Sequence, residues 1–286
     1  MNRKIKITAD STCDLSEELI KLFDVELIPL HIVYGEESFD DGVNIFPSDI
    51  IERYRKARQL PKTAAVSMWE YAEHFKKYTE QGYDVIHIGL GSSISSSYQN
   101  SFNAAKDIGH VYPVDSQSLS TACGLLVGKA YDMICETDMS ANEIAEELKR
   151  IVPKISCSFV IDSLEFLRAG GRCSTLAMLG ANLLKIKPCI EVSNSAGASM
   201  TVGRKYRGKF ETVVEQYTRE KLSQYSGFDN KRIALVSCQV SDELVKSVYD
   251  IISDLGTFQE ICITKASCTI TSHCGPGTLG VMFITK

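Results

Sequence analysis

Short apolar runs alternate with amphipathic segments along the first part of the chain. The amphipathic segments carry helix start signals, because Ser67-Met-Trp-Glu70 and Ser140-Ala-Asn-Glu143 both fit the capping box. Near-continuous apolar strands separated by helices are typical of an α/β domain with a parallel, Rossmann-like sheet covered on both faces. The predicted strands are Lys4–Ala9, Glu26–Tyr34, Val85–Gly89, Val111–Asp115 and Phe159–Asp162.

The pattern changes after Gly170-Gly171. A helix-like stretch at Thr175–Leu184 precedes two strand candidates, Pro188–Ser193 and Ser199–Tyr206, whose short polar connection predicts a hairpin. We therefore expect two domains, an N-terminal α/β domain over residues 1–162 and a C-terminal α+β domain with a mixed sheet over 163–286. The remaining predicted elements are the helices Phe210–Ser223 and Asp242–Leu255 and the strands Ile233–Cys238, Ile261–Lys265 and Val281–Thr285.

The composition of the chain argues against several classes of protein. The 286 residues are 44% hydrophobic and 23% charged, which fits a folded chain and not a disordered one. A net charge of −5 argues against nucleic-acid binding. No run approaches the roughly 18 apolar residues of a membrane span, and no signal peptide is apparent, so we expect a cytoplasmic protein. The ten cysteines show no C-x-x-C spacing, which favours reduced thiols without a metal.

Two polar loops of the N-terminal half are suited to an anion. The serine-rich loop Gly91–Gln99 follows a predicted strand and precedes a helix, so it can present hydroxyls and amides at the carboxyl edge of the sheet. It lacks the lysine of a phosphate-binding P-loop. Thr63 lies in Pro61-Lys-Thr63, ahead of the helix capped by Ser67. Each stretch is also compatible with an ordinary solvated turn.

A third polar stretch, Thr271–Gly280, contains a literal G-x-G-x-x-G from Gly275 to Gly280. The dinucleotide fingerprint requires a helix after the glycines, and here a strand is predicted, so we interpret the match as fortuitous. We expect the stretch to be an accessible loop that carries His273, whose imidazole suits a carboxylate partner. The other four histidines are predicted to be structural.

The motifs together resemble the DegV family. The resemblance runs from about Lys6 to the C-terminus, and six motifs occurring in family order are far more specific than any one of them. They are Thr8-Ala-Asp-Ser-Thr-Cys-Asp14, Pro61-Lys-Thr63, the serine loop ending in Tyr98-Gln99, Val114-Asp-Ser116, Phe166-Leu-Arg-Ala-Gly-Gly-Arg172 and His273-Cys-Gly-Pro-Gly-Thr-Leu-Gly280.

The resemblance implies a non-catalytic carrier that buries one long-chain fatty acid and holds its carboxylate for a separate kinase. Members of the family serve bacterial fatty-acid kinase as its acyl-binding subunit, and the acyl phosphate feeds phospholipid synthesis. By motif, the carboxylate ligands would be Thr63, Ser95, the amide of Ser96, and His273. Arg172 would dock the kinase or steer the phosphate. No cofactor is implied, and we expect no stable membrane insertion while leaving transient membrane contact open.

The serine loop departs from the family pattern. Where the family typically has L-S-G-T-Y-Q, this chain has Ile94-Ser-Ser-Ser-Tyr-Gln, so Ser96 replaces a glycine and Ser97 a threonine. A glycine that needs positive φ or close approach to a ligand would be poorly replaced by serine. After Thr63, Ala-Ala-Val replaces polar residues of the family motif.

Two enzymatic alternatives remain. A serine hydrolase could use Ser95 with His273, although no G-x-S-x-G elbow is present and no acidic residue is evidently placed to orient the histidine. A kinase with its own nucleotide site would need a phosphate loop that the sequence does not offer. Ester turnover or ATP binding would identify either one.

Overall fold

A computed structural model describes residues 3–173 and 186–286. Their strands are β1 Lys4–Asp10, β2 Val25–Ile28, β3 His31–Tyr34, β4 Glu37–Asp40, β5 Lys62–Ala64, β6 Tyr83–Gly89, β7 Val111–Asp115, β8 Ile155–Ile161, β9 Lys187–Ser193, β10 Ser199–Tyr206, β11 Phe228–Cys238, β12 Glu260–Lys265 and β13 Thr278–Thr285. Their helices are α1 Glu17–Leu22, α2 Pro47–Ala57, α3 Met68–Thr79, α4 Ser97–Ile108, α5 Thr121–Glu136, α6 Ala141–Ile151, α7 Glu165–Gly170, α8 Phe210–Ser223, α9 Asp242–Ser253 and α10 Cys268–Cys274.

Two main sheets confirm the predicted fold class. A parallel sheet has the order β2-β1-β6-β7, and a mixed sheet has the order β10-β9-β8-β13-β11-β12, in which only β11 and β12 pair in parallel. β8 belongs to the mixed sheet, where it pairs with β9 and β13. The division into domains at residue 162 stays a prediction, and this pairing favours a division ahead of β8.

The predicted strand Glu26–Tyr34 is wrong as a single element. It is two strands separated by Pro29 and Leu30, with β2 in the parallel sheet and β3 in a small antiparallel sheet of order β4-β3-β5. Proline has no N–H to donate and interrupts strand pairing, so the apolar run continues while the hydrogen-bonding partner changes.

Several local predictions are confirmed. Ser67 and Ser140 both complete capping boxes, at the starts of α3 and α6. β9 and β10 form the predicted antiparallel hairpin, and α8 covers the predicted residues. The predicted helix Thr175–Leu184 lies outside the described residues.

Helix α5 lies between the two main sheets, in contact with β1 and β6 on one side and with β8, β11 and β13 on the other. Most of its side chains are buried. Gly124 and Gly128 permit this close packing, because a Cβ at Gly124 would lie 2.8 Å from a Leu15 methyl carbon and one at Gly128 would lie 3.3 Å from the Phe23 ring. The two sheets therefore share one core element.

The loop predicted at Thr271–Gly280 is wrong in its first half. Residues Cys268–Cys274 form α10, which Gly275 terminates with a φ of 72°. The helix consists of residues with modest helix propensity, and it is capped both locally, by the Ser267 hydroxyl that accepts from the amide of Ile270, and by distant groups described below. β13 begins at Thr278, which places a strand where a dinucleotide fingerprint would need a helix.

Candidate functional site

A cavity of about 220 Å³ brings together residues from segments that are far apart in the chain. We call it the polar cavity. All five predicted site residues line it: Thr63, Ser95, Ser96, Arg172 and His273. The fold thus assembles one site from four parts of the chain: β5, the serine loop, the residues that follow α7, and α10 itself.

A hydrogen bond joins the two motifs that are most distant in sequence. Thr63 is in β5, and its Oγ1 lies 2.9 Å from Nε2 of His273 in α10, although the two residues are 210 positions apart. Either atom can donate, depending on the imidazole tautomer. The bond fixes the ring and the hydroxyl relative to each other.

His273 is not the accessible loop residue that the sequence suggested. It occupies the last turn of α10, and its Nδ1 is buried without a hydrogen-bond partner among the described residues. Burial lowers the pKa of His273 to about 4, and the positive charge of Arg172 acts in the same direction. The imidazole is therefore neutral at neutral pH.

Gly170 holds one side of the imidazole. A Cβ at this position would lie 2.1 Å from Nδ1 of His273, which no side chain can tolerate. The glycine pair of the G-G-R motif thus has two roles, since Gly171 ends α7 with a φ of 65°. Arg172 follows directly, and its Nη1 donates to the carbonyl of Gly170 over 2.7 Å. The motif packs against His273 and places an exposed cation at the polar cavity.

The serine loop is attached to the parallel sheet by a buried carboxylate. Asp10, at the end of β1, accepts hydrogen bonds from the amide of Leu90 at 2.7 Å and from the hydroxyl of Tyr71. Within the loop, the Ser95 hydroxyl donates to Ser97 Oγ at 3.0 Å and accepts from the amide of Ser97. The loop leads into α4, whose amino-terminal end carries the positive pole of the helix dipole.

Ser96 carries no backbone strain. Its φ of −79° and ψ of −3° are accessible to any residue, so replacing the family's glycine costs nothing in backbone conformation. Its side chain is exposed at the polar cavity.

Sequence reasoning missed Thr269. It lies one helical turn before His273 and therefore on the same face of α10. Its side chain is 4% exposed and lines the polar cavity, yet Oγ1 has no hydrogen-bond partner among the described residues. Leaving a buried hydroxyl unbonded is costly, so this atom is poised for a polar ligand. If a helix had been predicted here, the i, i+4 spacing between Thr269 and His273 would have indicated that both side chains face the same site.

Two buried aspartates cap α10. Asp41 Oδ1 accepts from the amide of Cys268 at 2.8 Å, and Oδ2 accepts from the amide of Thr269 at 2.9 Å. Asp14 accepts from the amide of Ser267 at 2.9 Å. Burial raises the pKa of Asp14 to about 7 against the opposing effect of these hydrogen bonds. Groups from the first 41 residues therefore fix the helix that carries His273.

A second cavity, of about 50 Å³, adjoins the first. We call it the apolar cavity, since most of its lining is hydrophobic, with Phe159, Leu167, Val236 and Met282 among its side chains. Four residues line both cavities and form what we call the neck: Leu119, Met200, Ile270 and His273. The polar and apolar cavities thus share part of their lining.

Within the described residues, Ser95 and His273 are not joined as the hydrolase alternative would require. Ser95 donates to Ser97, whereas His273 Nε2 is bonded to Thr63 and its Nδ1 faces no carboxylate among the described residues. No group of three or more His, Cys, Asp or Glu side chains within residues 3–173 and 186–286 could hold a metal ion. The arrangement suits binding of a small anionic group by hydroxyls and a neutral imidazole.

Over residues 4–286 the chain matches the family model described as "Uncharacterised protein, DegV family". The protein belongs to the DegV family. A DegV domain-containing protein of Clostridium perfringens is 30% identical over 290 residues, with 99% of each chain covered. A fatty acid-binding protein of Thermotoga maritima is 28% identical, with 97% of this chain and 96% of the relative covered.

The DegV fold is also evident from solved structures. One of them is a DegV family protein of Thermus thermophilus, whose structure is described as showing fatty acid binding. It is 24% identical, and the TM-score is 0.89 with 99% of this chain and 100% of the other covered. In the part of this chain that is described, no helix combines the length and apolar character needed to cross a membrane.

Proposed function

We propose that this DegV protein binds one long-chain fatty acid and presents its carboxylate to a separate fatty-acid kinase, which forms the acyl phosphate. The carboxylate occupies the polar cavity and the acyl chain passes the neck into the apolar cavity. The observation that carries the proposal is that these two compartments of opposite character share four lining residues.

The polar cavity offers the groups that a carboxylate needs when it leaves water. An unpaired buried carboxylate is costly, and hydrogen bonds from hydroxyls and amides offset that cost. Thr63, Ser95 and the amide of Ser96 are the donors that the family resemblance implies, and the buried hydroxyl of Thr269 adds another. The neutral imidazole of His273 orients Thr63.

The apolar cavity supplies the favourable free energy. Each buried methylene contributes about 0.8 kcal/mol, so a long chain gains several kcal/mol from partial burial alone. A cavity of about 50 Å³ has room for only a few water-sized groups, so entry of the chain requires lining side chains to move. Met200 and Met282 are suited to this because methionine is unbranched and adapts its shape.

The relatives support the same ligand class. The Thermotoga maritima relative is named a fatty acid-binding protein, and its similarity extends over nearly the whole of both chains. A carrier role also agrees with the separation of Ser95 from the imidazole in the hydrogen-bond network. In this proposal the kinase provides ATP, metal and catalysis.

Mass spectrometry of the organic extract from protein purified without added lipid tests the binding. We expect a stoichiometric fatty acid in the wild type and much less in a Thr63→Ala/His273→Ala protein. Thr212→Ala, an exposed change in α8, is the matched control and should retain the ligand. An empty wild-type extract, followed by no uptake of added fatty acid, would overturn the proposal, and steady ester hydrolysis would replace it with the hydrolase.

Arg172 is our candidate for coupling to the kinase, because its side chain is exposed beside the polar cavity. Reconstitution with a fatty-acid kinase catalytic subunit and ATP should give acyl phosphate with the wild type. An Arg172→Ala protein should retain fatty acid but lose turnover, while Arg150→Ala in the exposed face of α6 should behave as wild type. Lost fatty acid with normal turnover per bound ligand would contradict this role.

A further inference from the structure

A surface groove of about 640 Å³ lies behind the apolar cavity. We call it the outer groove. It is formed where the start of α1, the start of α2 and the start of α9 approach the ends of β11 and β12. Among the described residues, three line both the outer groove and the apolar cavity: Ser237, Cys238 and Ala266. We call these three residues the end wall.

The end wall is thin but closed. Its three residues have some of the smallest side chains found in proteins, and they are only 7%, 5% and 4% exposed, respectively. The distance between the two compartments is therefore about that of one small side chain. The lining of the apolar cavity also includes larger residues such as Phe159 and Met282.

Hydrogen bonds hold the end wall in place. The amide of Ala266 donates to the carbonyl of Ser237 over 3.0 Å, which joins the end of β12 to the end of β11. The carbonyl of Cys238 accepts from the amide of Gly277 at 2.9 Å, and Cys238 Sγ lies 3.5 Å from Thr271 Oγ1 in α10. Unlike the methionines of the cavity, these residues cannot move aside without breaking bonds in two strands and a helix.

We propose that the end wall sets the maximum length of the acyl chain. This inference rests on the proposed function of fatty-acid binding. A chain that enters through the neck extends until its terminal methyl group meets Ser237, Cys238 and Ala266. Each further methylene then has no apolar space to occupy. The outer groove is where a longer chain would emerge once the wall is opened.

The size of the residue at position 238 should therefore control chain length in both directions. In Cys238→Met the larger side chain shortens the cavity, so the preferred acid becomes shorter. In Cys238→Ala the wall is thinned by one sulfur atom, so acids slightly longer than the wild-type limit gain affinity. Each methylene that becomes buried, or is denied burial, changes affinity by about fourfold.

Competition binding with a homologous series of saturated fatty acids tests the proposal. Cys189 is the matched control, because it is a buried cysteine of the same sheet that lines neither cavity among the described contacts. We expect opposite shifts in the length profile for Cys238→Met and Cys238→Ala, and the wild-type profile for Cys189→Met and Cys189→Ala. Ala266→Leu is a second filling variant in case Cys238→Met fails to fold, and it should also favour shorter chains.

The outcomes separate this proposal from the function on which it rests. If the wild type binds fatty acids and the folded Cys238 and Ala266 variants keep its length profile, the end wall does not limit the chain and the inference is wrong. If the wild type binds no fatty acid of any length, the proposed function itself fails.

Discussion

The polar cavity is held by directional bonds between distant segments, whereas the apolar cavity is enclosed mainly by side chains that pack without them. Thr63 bonds to His273, Asp10 holds the start of the serine loop, and Asp41 caps α10. The apolar cavity has the adaptable methionines Met200 and Met282 in its lining. Under the proposed function, the head group would meet a fixed arrangement while the acyl chain would meet an adjustable one, apart from the end wall.

This contrast has a measurable form. Changes in the polar cavity should weaken binding of every fatty acid by the same factor, because all share one carboxylate. Changes in the apolar cavity should instead alter the dependence of affinity on chain length.

Asp41→Ala should have the largest effect. It leaves the amides of Cys268 and Thr269 without their acceptor, and it also removes the partner of the Ser11 hydroxyl. We expect the free energy of unfolding to fall by about 3 kcal/mol, since each buried donor left unpaired costs about 1–3 kcal/mol. Urea denaturation measures it, with the exposed Asp254→Ala as control. A change below about 1 kcal/mol would show that α10 does not depend on this carboxylate.

Gly170→Ala should break the fixed arrangement without removing a hydrogen-bonding side chain. The new Cβ would displace the imidazole of His273, and overpacking of this kind costs about 1–3 kcal/mol. We expect fatty-acid affinity to fall more than about tenfold for all chain lengths. Gly171→Ala is the control, since nothing lies within 4 Å of its Cβ, although its φ of +65° makes it destabilising. Equal affinities for the two variants would contradict the assigned place of the imidazole.

Thr269→Val should separate binding from stability. Removing an unpaired buried hydroxyl leaves the unliganded protein as stable as the wild type or slightly more so. Loss of a hydrogen bond to a charged group weakens carboxylate binding by about 1.5 kcal/mol, or about tenfold. Calorimetric titration and thermal unfolding, performed on the same samples, give the two quantities. A variant that loses stability but keeps affinity would assign Thr269 a structural role.

Between about pH 7 and pH 5.5, the pH dependence of His273 should be the smallest effect. Its folded-state pKa of about 4 lies below the ordinary 6.5, so below about pH 6.5 the unfolded chain binds a proton that the folded protein does not. The free energy of unfolding should therefore fall by about 1 kcal/mol between about pH 7 and pH 5.5 through this group, and continue to fall toward pH 4.

The control for this prediction is the difference between the wild type and His273→Gln at each pH. Asp14 contributes with the opposite sign, because its raised pKa of about 7 favours the folded state as pH falls through that range. Subtracting the His273→Gln curve removes the Asp14 contribution from the comparison. Parallel curves for the two proteins would mean that His273 titrates normally.

The parts of the fold that follow local rules could be predicted from the sequence. The capping boxes at Ser67 and Ser140, the hairpin of β9 and β10, and α8 depend on neighbouring residues and appear as expected. The apolar run Glu26–Tyr34 was wrongly predicted as one strand because β2 and β3 are both apolar although they belong to different sheets. The local sequence of a strand does not determine which sheet it joins, because its pairing partners are distant in the chain.

The candidate site was predictable as a set of motifs but not as a geometry. Five residues from distant motifs line one cavity, yet α10 was expected to be a loop because the stretch is rich in glycines and small polar residues, and the contributions of Asp14 and Asp41 to its capping are not evident from the local sequence. Without that helix, the burial of His273 and the presence of Thr269 could not be inferred. The effect of serine at position 96 likewise needed the backbone angle.

The capping of α10 also has a consequence for synthesis of the chain. The amide of Cys268 is 227 positions from the carboxylate of Asp41 that accepts its hydrogen bond. Pairings this distant form late, because the intervening chain must first be made and ordered. During synthesis on the ribosome, the carboxylates of Asp14 and Asp41 therefore lack these hydrogen-bond donors until α10 has been made. Nascent chains stopped short of α10 would lack His273 and therefore the hydrogen bond that joins it to Thr63.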